Sequence, residues 1–411
     1  MTRTNGKRPL PPGWRWVRLG DVFDIQQGVA MSPKRREGVS PRPFLRTLNV
    51  QWGGVDLSSL DEMDFTDEEV ERLRLQPGDV LVCEGGDVGR TGIWRGELQD
   101  CVYQNHVHRL RKRDETVVPD FFVYWMQAAF QVFRAYGGQE SNTTIPNLSA
   151  GRLKNFWVPC SPTSEQRRIA ARLSEQMALV GKMREAARAQ VEAARALPGA
   201  LLRKVFKSEE AQSWPRVRLG DVCQVQLGKM LSPASKTGPR PQPYLRNANV
   251  QWGHIDLGDV YRMDFTPAEE RKFALQPRDL LVCEGGEPGR AAVWNGEMSP
   301  CYYQKALHRV RPKAGGFSPR FLMYRLWAAS LGGEFLESHA RTTIAHLPAI
   351  RLRKLPLSAP PLADQDRVVE MLDTGLRDAE QVEAVARRRL EAVENLPNAL
   401  LEKVFGGFES A

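Results

Sequence analysis

Two long stretches of the chain place apolar residues three and four apart, the period of a helix with one buried face. The first runs through Ile169, Leu173, Met177, Val180, Ala187, Val191, Ala194 and Leu197. The second runs through Leu372, Leu376, Ala379, Val382, Ala386, Leu390, Val393 and Leu396. Neither seam can be buried along its full length on a compact domain. The pattern therefore predicts that each covers the other as an antiparallel two-stranded coiled coil. Its pairing residues are Ile169, Leu173, Val180 and Val191 against Leu372, Leu376, Val382 and Leu390. Thr163-Ser164-Glu165-Gln166 reads as a capping box opening the first helix. Pro198 and Pro397 are expected to kink or end the rods. Ahead of each rod, short apolar runs alternate with Gly, Pro and Asp, as in short strands and turns. Leu81-Val82-Cys83 and Cys101-Val102-Tyr103 are expected strands, and Pro119 to Tyr136 an expected helix.

The pattern occurs twice because the sequence does. VRLGDV at Val17 returns at Val217, an offset of 217 − 17 = 200 that then holds without a gap for nearly a hundred residues. NVQWG at Asn49 recurs at Asn249, CEGG at Cys83 recurs at Cys283, and His108-Arg109 recurs as His308-Arg309. After one deleted residue the offset is 199, so Thr143-Thr144-Ile145 matches Thr342-Thr343-Ile344 and Leu197-Pro198 matches Leu396-Pro397. The chain divides into a globular domain over residues 1–161, a helical region over 162–206, a second globular domain over 207–361 and a helical region over 362–411. The expected fold class is α+β: two similar mixed α/β domains separated by two long antiparallel coiled-coil helices, a pseudo-twofold dumbbell. Two similar surfaces in one chain imply one ligand with two similar halves.

Composition narrows this only slightly. The chain has 42% apolar and 26% charged residues, ordinary for a globular protein. Its net charge of +9 permits a polyanionic partner without demanding one. No stretch approaches the ~20 apolar residues of a membrane span, and the N-terminus has no apolar segment of signal-peptide type. The six cysteines are scattered, which fits reduced thiols. A cytoplasmic location without a membrane partner is the expectation.

Candidate chemistry centres on the glycine-rich CEGG-x-x-GR loop. Six residues separate Cys83 from Arg90, one too many for a cysteine-phosphatase loop, and no Lys-Ser/Thr follows the glycines as in a P-loop. What remains is a turn whose Arg90 or Arg290 either touches a DNA phosphate or is a solvated residue of a plain hairpin. Cys83, Cys101, His106 and His108 suggest a metal site, but the second copy has Ala306 where the first has His106, and no zinc spacing fits, so no metal is expected. Gln51, Trp52, Gln251 and Trp252 lie in Gly-bounded turns, where they either read base edges or pack the turn. Arg46, Gln104 and Asn105, with Arg246, Gln304 and Lys305 in the second copy, complete the candidate DNA contacts. The basic segment from Met31 to Arg42 is the better reader, because Lys34, Arg35, Arg36 and Arg42 differ from their counterpart with Lys236 and Arg240. No metal-nuclease cluster recurs in both copies, no Asn/Asp-Pro-Pro-aromatic tetrapeptide is present, and the glycines do not spell GxGxxG.

The duplicated order of PFLRTLNV from Pro43 and PYLRNANV from Pro243, with QPGD before LVCEGG in the first copy, and Pro-x-x-EQ or Pro-x-x-DQ opening each rod resembles the DNA-specificity subunits of Type I restriction–modification systems. The resemblance covers the whole chain. It implies that each globular part is a target-recognition domain for double-stranded DNA and that the helices are a fixed-length ruler. It also implies that the rods dock two adenine methyltransferase subunits, which carry S-adenosylmethionine and do the chemistry. A restriction subunit, a translocating nuclease, can join such complexes. The chain itself is then non-catalytic and binds no cofactor. In the family the two domains often differ widely, whereas here they stay close, which implies related half-sites in a nearly palindromic interrupted target. Two other readings stay open: the recognition part of a fused restriction–methylation enzyme with an unrecognised nuclease centre, and a coiled-coil protein scaffold.

Overall fold

A computed structural model describes residues 10–38, 41–134, 147–313, 316–335 and 346–408. The chain packs into two compact units, one formed by residues 1–188 with 389–411 and the other by residues 189–388. This partition cuts through both long helices, so packing groups the chain differently from its sequence segments.

In the first unit, strands Phe23–Gln27, Val107–Lys112, Val80–Cys83 and Thr91–Ile93 form, in that order, an antiparallel sheet. All four residues of Val80–Cys83 are buried because the strand is covered on both faces. Val80 and Val82 face one apolar cluster with the helix Pro119–Gln127, whereas Leu81 and Cys83 face a second cluster with Phe44, Trp94 and Tyr103. That second cluster is closed by the three-stranded sheet of Asp61–Asp64, Pro41–Leu45 and Val102–Tyr103. The second unit repeats the plan: Cys223–Leu227, Leu307–Pro312, Leu280–Cys283 and Ala291–Val293 make the four-stranded sheet, and Tyr261–Asp264, Pro241–Leu245 and Tyr302–Tyr303 the smaller one. The expected helix from Pro119 is α-helical to Gln127 and continues as a π-helical turn over Ala128–Val132. Its expected end at Tyr136 lies outside the described residues.

The long helices span Thr163–Phe206 and Leu362–Phe405. Each unit contains an antiparallel pair of their segments. In the first unit Arg188 meets Glu394 at 3.5 Å, and Ile169 and Leu173 share a cluster with Leu401 and Phe405. In the second, Arg195 meets Glu383 at 3.3 Å, and Leu201 and Leu202 share a cluster with Leu372 and Leu376. Ile169, Leu173, Val180, Val191, Leu372 and Leu376 are buried as expected, and Leu390 is half-buried.

Three sequence expectations fail here. Val382 is 50% exposed and does not pair. The heptad register that buries Leu372, Leu376, Ala379, Ala386 and Val393 brings Glu383 to the seam instead, one residue past the valine. Neither proline ends its helix. Leu202 and Leu401 lie just beyond the prolines and are fully buried in the domain cores, and that burial offsets the lost hydrogen bond and ring clash. Finally, Thr163 and Gln166 form no capping box. The Pro162 carbonyl accepts from the amides of Glu165 and Gln166. The buried Gln166 side chain instead accepts from the Val118 amide and donates to the carbonyls of Thr116 and Ser161. Gln365 repeats this stitch on Ser318, Gly316 and Pro360.

Candidate nucleic-acid interface

The CEGG-x-x-GR loop closes on itself. The Cys83 amide donates to the Arg90 carbonyl at 2.9 Å, and the Gly89 amide donates to the Cys83 carbonyl at 3.0 Å. Gly89 must be glycine: its φ is +80°, and a Cβ would lie 2.3 Å from the Phe130 ring. Arg90 points inward along the surface and donates to the Thr47 carbonyl at 2.7 Å, with Asp87 at 3.3 Å. Arg290 donates to the Asn247 carbonyl at 3.0 Å, with Glu287 at 3.1 Å. Both arginines thus brace the turn over residues 47–49 or 247–249. Neither arginine is therefore the solvated residue of a plain hairpin, since each guanidinium is bonded to a backbone carbonyl.

The braced turn carries the NVQWG motif. Asn49 is buried and donates to the carbonyls of Asp56 and Ser59 while accepting from the Arg46 amide, and Asn249 does the same with Asp256, Asp259 and Arg246. The Gln51 and Gln251 side chains donate to the carbonyls of Leu48 and Ala248, so one N–H of each amide is occupied. Trp252 stacks on Trp327 at 5.2 Å and donates its ring N–H to Glu287, whereas Trp52 is half-buried. Arg46 lies 3.1 Å from Asp61, and Arg246 lies 2.6 Å from Asp259 and over the Tyr261 ring.

The basic segment is part strut and part free surface. Arg35 grips Glu69 with both terminal nitrogens, at 2.8 and 2.7 Å, and also donates to the Asp64 carbonyl. That grip holds the Glu69 carboxyl down at about 2. Arg35 is therefore corrected from reader to anchor. Lys34 and Arg36 are exposed on the short helix Pro33–Arg36, with Arg36 only 3.8 Å from Asp61. Arg42 is half-buried, 3.7 Å from Asp67. In the second domain Lys236 and Arg240 are exposed, and Arg240 meets Glu270 at 2.9 Å. Gln104 is 4% exposed, too deep to touch a ligand, and is another correction. Its backbone bridges Val29 and accounts for its position. Asn105 and Gln304 are half-buried, and Lys305 is exposed.

The Cys83 and Cys101 thiols and the His108 ring are buried, whereas His106 is exposed beside Glu84 at 3.5 Å. Burial pushes the Cys83 thiol up to about 11 and Cys101 to about 12. His108 and His308 are buried against the carbonyls of Leu148 and Leu347. Among the described residues no group of three or more His, Cys, Asp or Glu is placed to hold a metal ion.

Sequence reasoning missed two exposed apolar groups. Met230, 63% exposed, and Leu231 sit in the loop before the short helix Pro233–Thr237, where the first copy has Ala30 and Met31. Leu179 and Met183 in the first unit, and Met371 and Val385 in the second, stand out from the long helices. Their signal was being apolar yet off the buried seam.

The model of the Type I restriction modification DNA specificity domain matches residues 11–192 and again 212–387. The chain belongs to this family. As a Type I specificity subunit it is 20% identical over 436 residues to the EcoBI specificity subunit of Escherichia coli, covering 98% of this chain and 88% of that one. It is equally 20% identical over 424 residues to the MjaVIII specificity subunit of Methanocaldococcus jannaschii, covering 97% and 93%. The match to the Escherichia coli EcoAI specificity subunit, at 25% identity, spans 43% of this chain and only 30% of that protein. The fold is shared with the HsdS subunit from Thermoanaerobacter tengcongensis, at a TM-score of 0.64 and 20% identity over 97% of both chains. It is also shared with a chain from a study of complex assembly in the type I restriction–modification system, at a TM-score of 0.72 and 21% identity over 97% and 98% of the two chains. No helix among the described residues of this specificity subunit is long and apolar enough to cross a membrane.

Proposed function

We propose that this specificity subunit reads an interrupted double-stranded DNA target in the cytoplasm, one half-site per domain, and docks two adenine methyltransferase subunits that carry S-adenosylmethionine. One observation carries the reading. The braces of the turn (Asn49 with Arg90, and Asn249 with Arg290) are alike in both domains, while the exposed residues of 31–42 and 231–242 differ. A shared scaffold with divergent exposed loops is what two readers of two related sequences require. Lys34, Arg36, Arg42, Lys236, Arg240 and Lys305 are the remaining candidate contacts, with Met230 and Leu231 as apolar partners for a thymine methyl. Arg46, Gln51, Trp52, Asn105, Arg246, Gln251, Trp252 and Gln304 shape the loop around them. The exposed apolar residues on both long helices supply one methyltransferase-docking face per unit. At ~1.5 Å per residue, two helices of 44 residues each are rods of roughly 66 Å, suited to fixing the spacer between half-sites. A restriction subunit joins the same assembly where its gene is present. The chain supplies no catalytic group of its own.

Native mass measurement of the chain with its cognate methyltransferase tests this reading, with two partner chains per specificity chain expected at saturation. Leu179→Asp and Val385→Asp should each remove one partner. Saturation at a single partner in the unaltered chain contradicts the docking model. Cleavage or methylation of DNA by the isolated chain, abolished by a point substitution, favours the fused-enzyme alternative. Absence of salt-dependent, sequence-selective DNA binding by the complex favours the scaffold alternative.

A further inference from the structure

We propose that the second unit holds a binding site for a small phosphate-bearing anion, independent of DNA reading. A cavity of about 280 Å³ opens where the first long helix ends against the strand pair Arg216–Arg218 and Pro356–Ser358. Arg203, Lys207, Arg216 and Arg325 line it, with Phe206 on its apolar side. Arg216 and Ser358 face each other in register across the strand pair, which sets a guanidinium beside a hydroxyl. The acidic lining residue is Glu334, and it is engaged with Arg325 at 3.0 Å. Arg203, Lys207 and Arg216 are exposed and have no acidic partner among the described residues. With Glu334 paired to Arg325, three exposed cations remain around one concavity, and their summed field draws an anion.

The first unit shows that the fold does not require this cluster. At the matching places it has Trp16 for Arg216 (216 − 200 = 16), Trp125 for Arg325 (325 − 200 = 125), Glu402 for Arg203 (203 + 199 = 402) and Gly406 for Lys207 (207 + 199 = 406). There the space is filled by rings, with Trp16 at 6.1 Å and Phe405 at 5.4 Å from Trp125. One copy packs the position with aromatics, and the other opens it and lines it with guanidinium groups. Arginine forks match the paired oxygens of phosphate better than point charges do. The volume of about 280 Å³ lies just below the ~300–1,000 Å³ of ligand pockets, which suits a diphosphate or a small phosphate ester rather than a nucleic-acid strand.

Thermal unfolding of the full chain, titrated with inorganic pyrophosphate at fixed ionic strength and with sodium chloride as control, tests the site. A saturable rise in Tm is expected. Arg216→Trp, which introduces the first unit's residue, and Arg203→Gln, on an exposed helical position, should each weaken the apparent affinity at least tenfold without changing the Tm of the free protein. Should Arg216→Trp fail to fold, Arg203→Gln alone decides. An ADP arm separates the sources: tighter ADP binding assigns a nucleotide, tighter pyrophosphate binding the free anion, and either supports the site. No saturable shift with either probe, or an equal shift in the variants, overturns it. Loss of non-specific duplex binding in the variants without pyrophosphate binding would also overturn it, by making the cluster a DNA-backbone contact.

Discussion

Glu69 and Glu269 occupy the same place in the two recognition domains and are held by different cations. In the first domain the holder is Arg35, reaching from the basic segment. In the second, position 235 is a buried serine, and Lys229 takes over, 2.7 Å from Glu269 and bonded to the Asp264 carbonyl. The bond survives and its source moves by six positions along the loop. A loop anchored through one carboxylate can change its sequence around the anchor. The two domains therefore differ in which loop residue makes the attachment and which remain free, and not in the carboxylate that receives it.

The largest effect that would break this comparison lies beneath the loops. Leu401→Ala should destabilise the first unit, and Leu202→Ala the second, by about 2–5 kcal/mol each, as for other buried leucines. Hydrogen exchange should report the loss mainly in residues 10–134 for the former and 216–335 for the latter. Equal loss in both units from one substitution would mean that they do not behave as separate packing bodies.

The carboxylate anchor comes next. Arg35→Ala should cost about 1–2 kcal/mol, reduced from the full value of a charged hydrogen bond because the arginine is partly exposed. Adding Val29→Lys to that variant should recover part of the loss, since Val29 and Lys229 make the same backbone bridge to Gln104 and Gln304. Because Glu69 sits at about 2 when folded, below its ordinary 4.5, its stabilisation is complete above pH 4.5 and disappears as pH falls through 2. Glu69→Gln should flatten that limb of the acid-unfolding curve. An unchanged limb would remove the anchor from the account.

The smallest effect concerns one residue. Arg278 has φ +77°, where the first domain has Gly78 at +94°. Arg278→Gly should raise the stability of the second domain by up to about 1 kcal/mol, the left-handed strain less the extra freedom of the unfolded glycine. Destabilisation measured by urea unfolding would show that the arginine makes a contact worth more than its strain.

The duplication, the mixed domains and the two seams were legible because they are written in periodicity and offset. The roles of Arg90 and Arg290 were not, because each bonds a backbone carbonyl 43 residues away, and no side-chain type announces that partner. Gln104 looked like a base reader from its chemistry, yet its backbone pairs with the Leu45 carbonyl and draws the side chain inside. Pro198 and Gln166 failed as local signals for one reason: tertiary anchoring at Leu202 and at Thr116 outweighed them. Val382 failed because an apolar residue one step off a heptad reads as part of it.

Methylome sequencing of cells that carry the chain unaltered, or with residues 231–242 in place of 31–42, tests the central claim that each domain reads its own half-site. The unaltered chain should direct adenine methylation to an interrupted motif, and the exchange should make one half-site resemble the other while the second half and the spacer stay fixed. An uninterrupted motif, or loss of both halves in a complex that still assembles and methylates, would contradict it.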